Sequence, residues 1–348
     1  MRHLACLAAL AIALLASPPA APAAAALGDD PGGLLALTAG RGQAYAVVGS
    51  GDPAVPFLLV RSTGRGVSRI GRFGIRDAQF PDVVAARGAL LVAYGRTTSD
   101  GLLYESALAA DGRFGGAATL GEATGPARLA LDGPARLAAF PDLDGDAVLG
   151  GRDAAGSPLL SQLTDSAPER RHAPLELLVS GGRPLVLDLV QTGERSELRL
   201  VGPAAPADTI LSVPGVRRLD ATLALDRERI YVAYRSAGRA VLASAPPRPG
   251  ATWSRRRLGA RGTVSGAPAV ARAGLRTIVA TSERVGRQRE IYVTTIGPGG
   301  IRVRRLTRSR GIDLAPQATV GLDGSVYVGW TRRNGSRSDV TTLLARLD

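Results

Sequence analysis

Residues 268–304 hold four short runs in succession: Pro268-Ala269-Val270-Ala271, Ile278-Val279-Ala280-Thr281, Ile291-Tyr292-Val293-Thr294 and Ile301-Arg302-Val303-Arg304. Ala273-Gly274 lies between the first two, and such residues accept the positive φ that a tight hairpin turn requires. A Gly/Pro-rich turn separates the last two. The runs are short, rich in β-branched residues and free of helical period, so they read as four antiparallel strands.

The second run recurs along the chain as Ala44-Tyr45-Ala46-Val47, Leu91-Val92-Ala93-Tyr94, Leu137-Ala138-Ala139-Phe140, Leu185-Val186-Leu187-Asp188, Tyr231-Val232-Ala233-Tyr234 and Tyr327-Val328-Gly329-Trp330. Successive starts differ by 47, 46, 48, 46, 47 and 49 residues, with residue 278 completing the set. A four-stranded unit repeated at this period reads as a propeller blade. The anchor runs are continuously apolar because neighbouring blades cover both faces. The expected fold is all-β: a seven-bladed β-propeller of four-stranded antiparallel blades over residues 27–348. The chain stops after the third strand of the last unit, so residues near Leu27 are candidates for the missing fourth.

Residues 1–26 have the order of a secretory signal peptide. Arg2 and His3 are followed by an apolar run from Leu4 to Ala16, then by Pro18-Pro19 and an alanine-rich stretch. Cleavage after Ala25 or Ala26 is expected, and a secreted, extracellular protein with it. Cys6, the single cysteine, leaves with this leader. No later stretch approaches the ~18 apolar residues of a membrane span, and a monomer is expected.

Composition narrows the chemistry. The 348 residues hold no lysine, so all 43 basic residues are arginine, and the net charge is +13. Arginine in place of lysine, with abundant alanine, points to GC-rich bacterial coding. With two histidines, of which only His172 lies beyond the leader, a zinc site or a His-based triad is disfavoured. The charge is divided unevenly. Residues 214–348 carry 25 arginines and 9 acids, whereas residues 1–213 carry 18 and 21. The last three repeats therefore carry +16 against −3 for the rest. A basic sector of this size attracts anions, such as an acidic glycan or an envelope polymer, and a protein partner is the other expectation. Nucleic acid is disfavoured, because interleaved aromatics are absent.

The rim loops after the second and fourth strands hold the candidate site residues. Arg235, Arg284, Arg332 and Arg333 follow anchor strands and form the candidate anion-binding set, with Trp330 and Tyr94 as a candidate stacking surface; the competing reading of these two aromatics is inter-blade core. Asp77, Asp82, Arg170, Arg171, His172, Arg308, Arg310 and Asp313 occupy the other rim loops. His172, directly after Arg170-Arg171, reads as an exposed loop residue. Asp142-Leu143-Asp144-Gly145-Asp146 spaces carboxylates as in the first half of a calcium loop, without the later bidentate Glu. Asp142, Asp144 and Asp146 are thus candidate calcium ligands, calcium being the one cofactor considered. The competing reading is a solvated acidic turn.

Gly250-Ala251-Thr252-Trp253 resembles the end of the Asp-box of sialidases and related propellers, with Arg248 where the box has Asp. In that family the box lies between a blade's third and fourth strands, its place here too. The resemblance implies a propeller. It raises a sialidase-like glycoside hydrolase as the alternative to a non-catalytic binding or scaffolding module. That family uses three arginines, a Tyr–Glu pair and an Asp acid, and none is assigned to a position here; Arg69-Ile70-Gly71 stands nearest its Arg-Ile-Pro signature. Asp142, Glu283 and Asp313 are the carboxylates a hydrolase would draw on.

Overall fold

The computed structural model describes residues 24–28, 33–63, 66–86, 89–96, 101–108, 113–164, 167, 169–180, 182–203, 205–214, 221–226, 228–247, 251–258, 262–335 and 339–347. The leader with Cys6, the side chain of Arg96, and Arg248 lie outside the described residues. Among the described residues all regular elements are strands. β1 (Ala25–Gly28) comes first. Blade 1 is β2 (Leu34–Ala39), β3 (Ala44–Gly49), β4 (Phe57–Ser62) and β5 (Val67–Phe73). Blade 2 is β6 (Ala78–Ala86), β7 (Ala89–Arg96), β8 (Leu102–Ala107) and β9 (Ala118–Glu122). Blade 3 is β10 (Arg128–Asp132), β11 (Ala135–Pro141), β12 (Ala147–Arg152) and β13 (Pro158–Gln162). Blade 4 is β14 (Arg170–Ser180), β15 (Arg183–Thr192), β16 (Arg195–Gly202) and β17 (Ala205–Pro214). Blade 5 is β18 (Ala221–Leu225), β19 (Ile230–Ser236), β20 (Arg239–Ala245) and β21 (Ser254–Arg257).

The remaining strands do not form further separate blades. β22 (Thr263–Val264), β23 (Ala269–Ala273), β24 (Arg276–Val285), β25 (Gln288–Gly297), β26 (Gly300–Arg305), β27 (Ile312–Val320), β28 (Val326–Arg333), β29 (Val340–Leu347) and β1 make one nine-stranded sheet. The expectation of seven four-stranded blades is therefore corrected: five sheets have that form, and the sixth and seventh repeats are joined. The reason is strand length. β25 runs for ten residues against six for its hairpin partner β26, so its first turn of ladder outruns β26. Arg289 then pairs in parallel with Ile312 at the start of β27. β22 likewise pairs with the far end of the ten-residue β24, beyond β23.

The first strand of each repeat is innermost. β2, β6, β10, β14, β18, β23 and β27 touch in that order, and β27 touches β2. β1 pairs antiparallel with β29, so the two ends of the chain meet in one ladder. Leu27 is buried there with Leu34, Tyr327 and Leu344.

The core lies between sheets. The fourth residue of every anchor run, Val47, Tyr94, Phe140, Asp188, Tyr234, Thr281 and Trp330, is at most 3% exposed. Side chains alternate across a strand, so this position always faces a neighbouring sheet. Aromatic bulk there fills the widening gap between twisted sheets. Truncating Leu27 to Ala is expected to cost about 2–4 kcal/mol, measured by urea unfolding, because it opens a cavity where the chain ends are sealed.

Candidate functional site

The four rim arginines have different roles. Arg332 donates from Nε to Asp313 Oδ1 at 2.8 Å and from Nη2 to Oδ2 at 3.2 Å. Asp313 is fully buried and also accepts from Ser309 Oγ. This bidentate pair neutralises a carboxylate inside the sheet. Arg284 is exposed and donates to the Gly286 carbonyl of its own turn. Arg235 is exposed at the end of β19. Arg333 is half-buried, and its Nε has no hydrogen-bond partner among the described residues. Trp330 and Tyr94 are 1% and 3% exposed, so neither offers a ring face for stacking. Tyr94 instead packs with Phe57, Phe73 and Tyr104. Burial pushes its phenol above the ordinary value, with Tyr104 adding to the rise. Glu283 is also interior, accepting from Thr281 Oγ1 and the Gly262 amide.

The Asp142–Asp146 segment is a hairpin turn capped by its first side chain. Asp142 Oδ1 accepts from the amides of Asp144 and Asp146 at 3.0 and 2.9 Å. Gly145 supplies the left-handed residue at φ 84°. Asp153-Ala154-Ala155-Gly156-Ser157 makes the same turn with one carboxylate. Asp153 Oδ1 accepts from Ala155 and Ser157, and Gly156 also has φ 84°. The turn therefore needs the first Asp and the Gly, and owes nothing to the other two acids. Asp144 is exposed, whereas Asp146 is buried and accepts from Gln162. Among the described residues no three His, Cys, Asp or Glu side chains are grouped to hold a metal ion. Asp142 and Asp144 instead border a groove of about 740 Å³ between blades 2 and 3, with Glu122, Phe140, Arg152 and Leu160.

His172 is buried, not an exposed loop residue. Its Nδ1 lies 2.6 Å from Asp188 Oδ2, with both side chains at most 1% exposed. Asp188 takes the anchor position that is aromatic in four other repeats, and His172 on the adjacent β14 fills the space a ring would take. His172 Nε2 and Asp188 Oδ1 have no partner among the described residues. The His172 amide donates to the Gly145 carbonyl, tying blade 4 to the turn of blade 3.

A polar set near the centre was only partly visible as sequence. Asp82 on β6 accepts at Oδ2 from the Leu129 amide at 2.8 Å, 47 residues ahead. Thr222 on β18 accepts from the Val270 amide at 2.9 Å, 48 residues ahead. Gln317 on β27 donates from Nε2 to the Leu35 carbonyl at 3.2 Å, back at the start of the ring. In each case an inner-strand side chain bonds the next inner strand. Ladder irregularities precede Asp82, Glu176 and Gln317, and Phe80 and Ala315 have φ of 52° and 48°. The overlooked signal was a proline before these positions: Phe80-Pro81-Asp82, Pro174-Leu175-Glu176 and Ala315-Pro316-Gln317.

Asp82, Arg128 and Glu176 come from three consecutive inner strands and interact. Burial pushes Glu176 up to about 7; Arg128 opposes the shift and Asp82 adds to it. Burial also raises Asp82, against the pull of Arg128. All three side chains are half-buried. The cluster can hold or release a proton near neutral pH.

No family model and no curated protein matches the chain. Solved structures share its fold at low identity. The β-propeller domain of the Trilobed protease from Pyrococcus furiosus matches at TM-score 0.56 and 11% identity, over 91% of this chain and 98% of that one. A structure named Dos1 propeller matches at TM-score 0.56 and 10% identity, over 93% and 95%. A prolyl endopeptidase structure matches at TM-score 0.55 and 12% identity, over 97% of this chain but 54% of that one. These likenesses establish a β-propeller fold.

Two predictions follow from the site. Asp142→Ala is expected to cost about 1 kcal/mol in thermal unfolding, because two turn amides lose their acceptor, while Asp144→Ala is neutral with or without calcium. Between pH 4.5 and about 7, the folded chain holds the Glu176 proton more tightly than the unfolded chain does. Its contribution therefore falls as pH rises through that window and is flat above it. Glu176→Gln should shrink the decline in urea midpoint between pH 5 and pH 8.

Proposed function

We propose that this chain is a secreted, non-catalytic binding or scaffolding module that engages an anionic extracellular or cell-envelope partner. One observation carries the reading: the excess charge is displayed on outermost strands. All four residues of β21 are exposed, and three of them are Arg255, Arg256 and Arg257. In the next repeat the first four residues of β26 are exposed, Arg302 among them. Arg256, Arg257 and Arg302 form no ion pair among the described residues. Other arginines in this half are tied to acids, as in Arg272 with Asp226, Arg305 with Glu290 and Arg332 with Asp313. The basic surface is therefore what remains after internal pairing.

This moves the proposed contact from the rim loops to the outer edge. A sialidase-like reading gains no support from the geometry, since Arg332 is committed to Asp313. Residues 1–26 are proposed as the leader; cleavage after Ala25 or Ala26 would remove the start of β1 but keep Leu27. Calcium is not needed for this reading.

Binding to immobilised dextran sulfate tests it. Affinity should fall steeply between 50 and 500 mM salt, as screening predicts. Arg256→Glu with Arg302→Glu should weaken it at least tenfold at low salt. Salt-independent binding, or no effect of the charge reversals, would remove the electrostatic basis.

A further inference from the structure

The edge of β26 has a second property besides charge. Among the described residues β26 pairs only with β25, and no strand lies on its other side. The Leu306 amide bonds the Ile291 carbonyl at 2.8 Å, which fixes the phase of this ladder. In an antiparallel pair, alternate residues direct their N–H and C=O towards the partner. Counting back from Leu306, Arg304 and Arg302 face Val293 and Thr295 on β25. Ile301, Val303 and Arg305 therefore direct their backbone groups away from β25, to the open side.

The side chains alternate as well. Ile301 and Val303 share one face and are 49% and 43% exposed. Arg302 and Arg304 project from the opposite face. The outer strands β5, β9 and β13 alternate between exposed and half-buried residues along most of their length. β26 differs in leaving two β-branched apolar residues open beside its arginines. An unpaired edge with apolar side chains is a template for strand addition.

We propose that β26 is a docking edge for an extended acidic polypeptide whose apolar and acidic residues alternate. The partner adds as a strand, bonding the outward amides and carbonyls of Ile301, Val303 and Arg305. Its apolar residues lie on the Ile301 and Val303 face, and its carboxylates lie on the opposite face, towards the exposed Arg302. Charge complementarity with the +16 half of the chain selects an acidic strand over a neutral one. This deepens the binding-module reading and rests on it, naming a polypeptide where that reading needs only an anion.

A fluorescent nine-residue peptide of alternating Glu and Val is the probe, with the full chain. Val303→Pro is the decisive variant. Proline removes an amide that faces outward, so it leaves the β25 ladder intact. The variant should unfold thermally like the parent, bind the peptide at least tenfold more weakly and bind dextran sulfate unchanged. The second arm alters the peptide: methylating its backbone nitrogens on alternate residues keeps every charge. Of the two methylation registers, one should abolish binding to the unaltered protein, whatever the fate of the variant. Equal binding of both methylated peptides and the parent peptide would overturn strand addition while leaving charge-driven binding standing. Loss of dextran sulfate binding in the charge-reversed protein, without loss of peptide binding, would overturn the acidic partner.

Discussion

Each innermost strand is an edge, apart from the single parallel pair at the start of β27. It has a ladder partner on one side and, along the rest of the other, the axis of the ring. Its backbone donors and acceptors on that side need partners other than a strand, because an unpaired buried amide costs about as much as a lost hydrogen bond. Here the neighbouring repeat supplies them through side chains. Asp82 takes the Leu129 amide, Thr222 takes the Val270 amide, and Gln317 gives to the Leu35 carbonyl. The last joins residues 282 positions apart, so the link returns to the start of the ring. The polar residues of the centre thus begin as structural necessities. The left-handed residues Phe80 and Ala315 and the irregular ladders beside them sit where the chain turns these side chains toward the next strand.

The same economy governs the carboxylates. Asp313, Glu290 and Glu105 are at most 3% exposed, and each has an arginine within 4.0 Å whose side chain reaches the surface. Burial raises Glu105, with Arg136 and Arg152 opposing the rise. Arginine suits this work, since its long stem crosses the sheet while its fork stays bidentate or solvated. Internal pairing ties Asp226, Glu290 and Asp313 of the basic half to arginines. What remains is an arginine excess on the outermost strands, with Arg256, Arg257 and Arg302 outside any ion pair among the described residues.

Strand content, the order of strands within a repeat and the turn positions were legible because they rest on short-range pattern. The seven-blade count was not, because a period counts repeats and cannot see that β25 outruns β26 to reach β27. Trp330 and Tyr94 carried two readings, a stacking surface and inter-blade core, and their burial decides for the core. They end apolar runs, which suits a rim, but their shared phase with Val47, Phe140 and Tyr234 places them between sheets. Asp188 takes the same position in its run, and its contact with His172 shows how a polar pair occupies a site that is aromatic in four other repeats. The Asp142 segment carried a metal-like spacing. Asp153 shows that the spacing of its first Asp and its Gly is that of a turn.

By itself, the sequence determined the all-β class, the repeat of about 47 residues and the placing of excess positive charge in the last three repeats. These are properties of neighbours along the chain, where alternation, turn residues and composition act directly. Only the tertiary structure decided how many sheets stand alone, that β1 completes the ladder of β29, and which arginines are held by carboxylates. Those outcomes depend on which groups meet across sheets, and burial there ranks each contact by the cost of leaving a charge or an amide unpaired. Arg256 and Arg257 of β21 and Arg302 of β26 form no ion pair among the described residues, because that ranking leaves them on the outside.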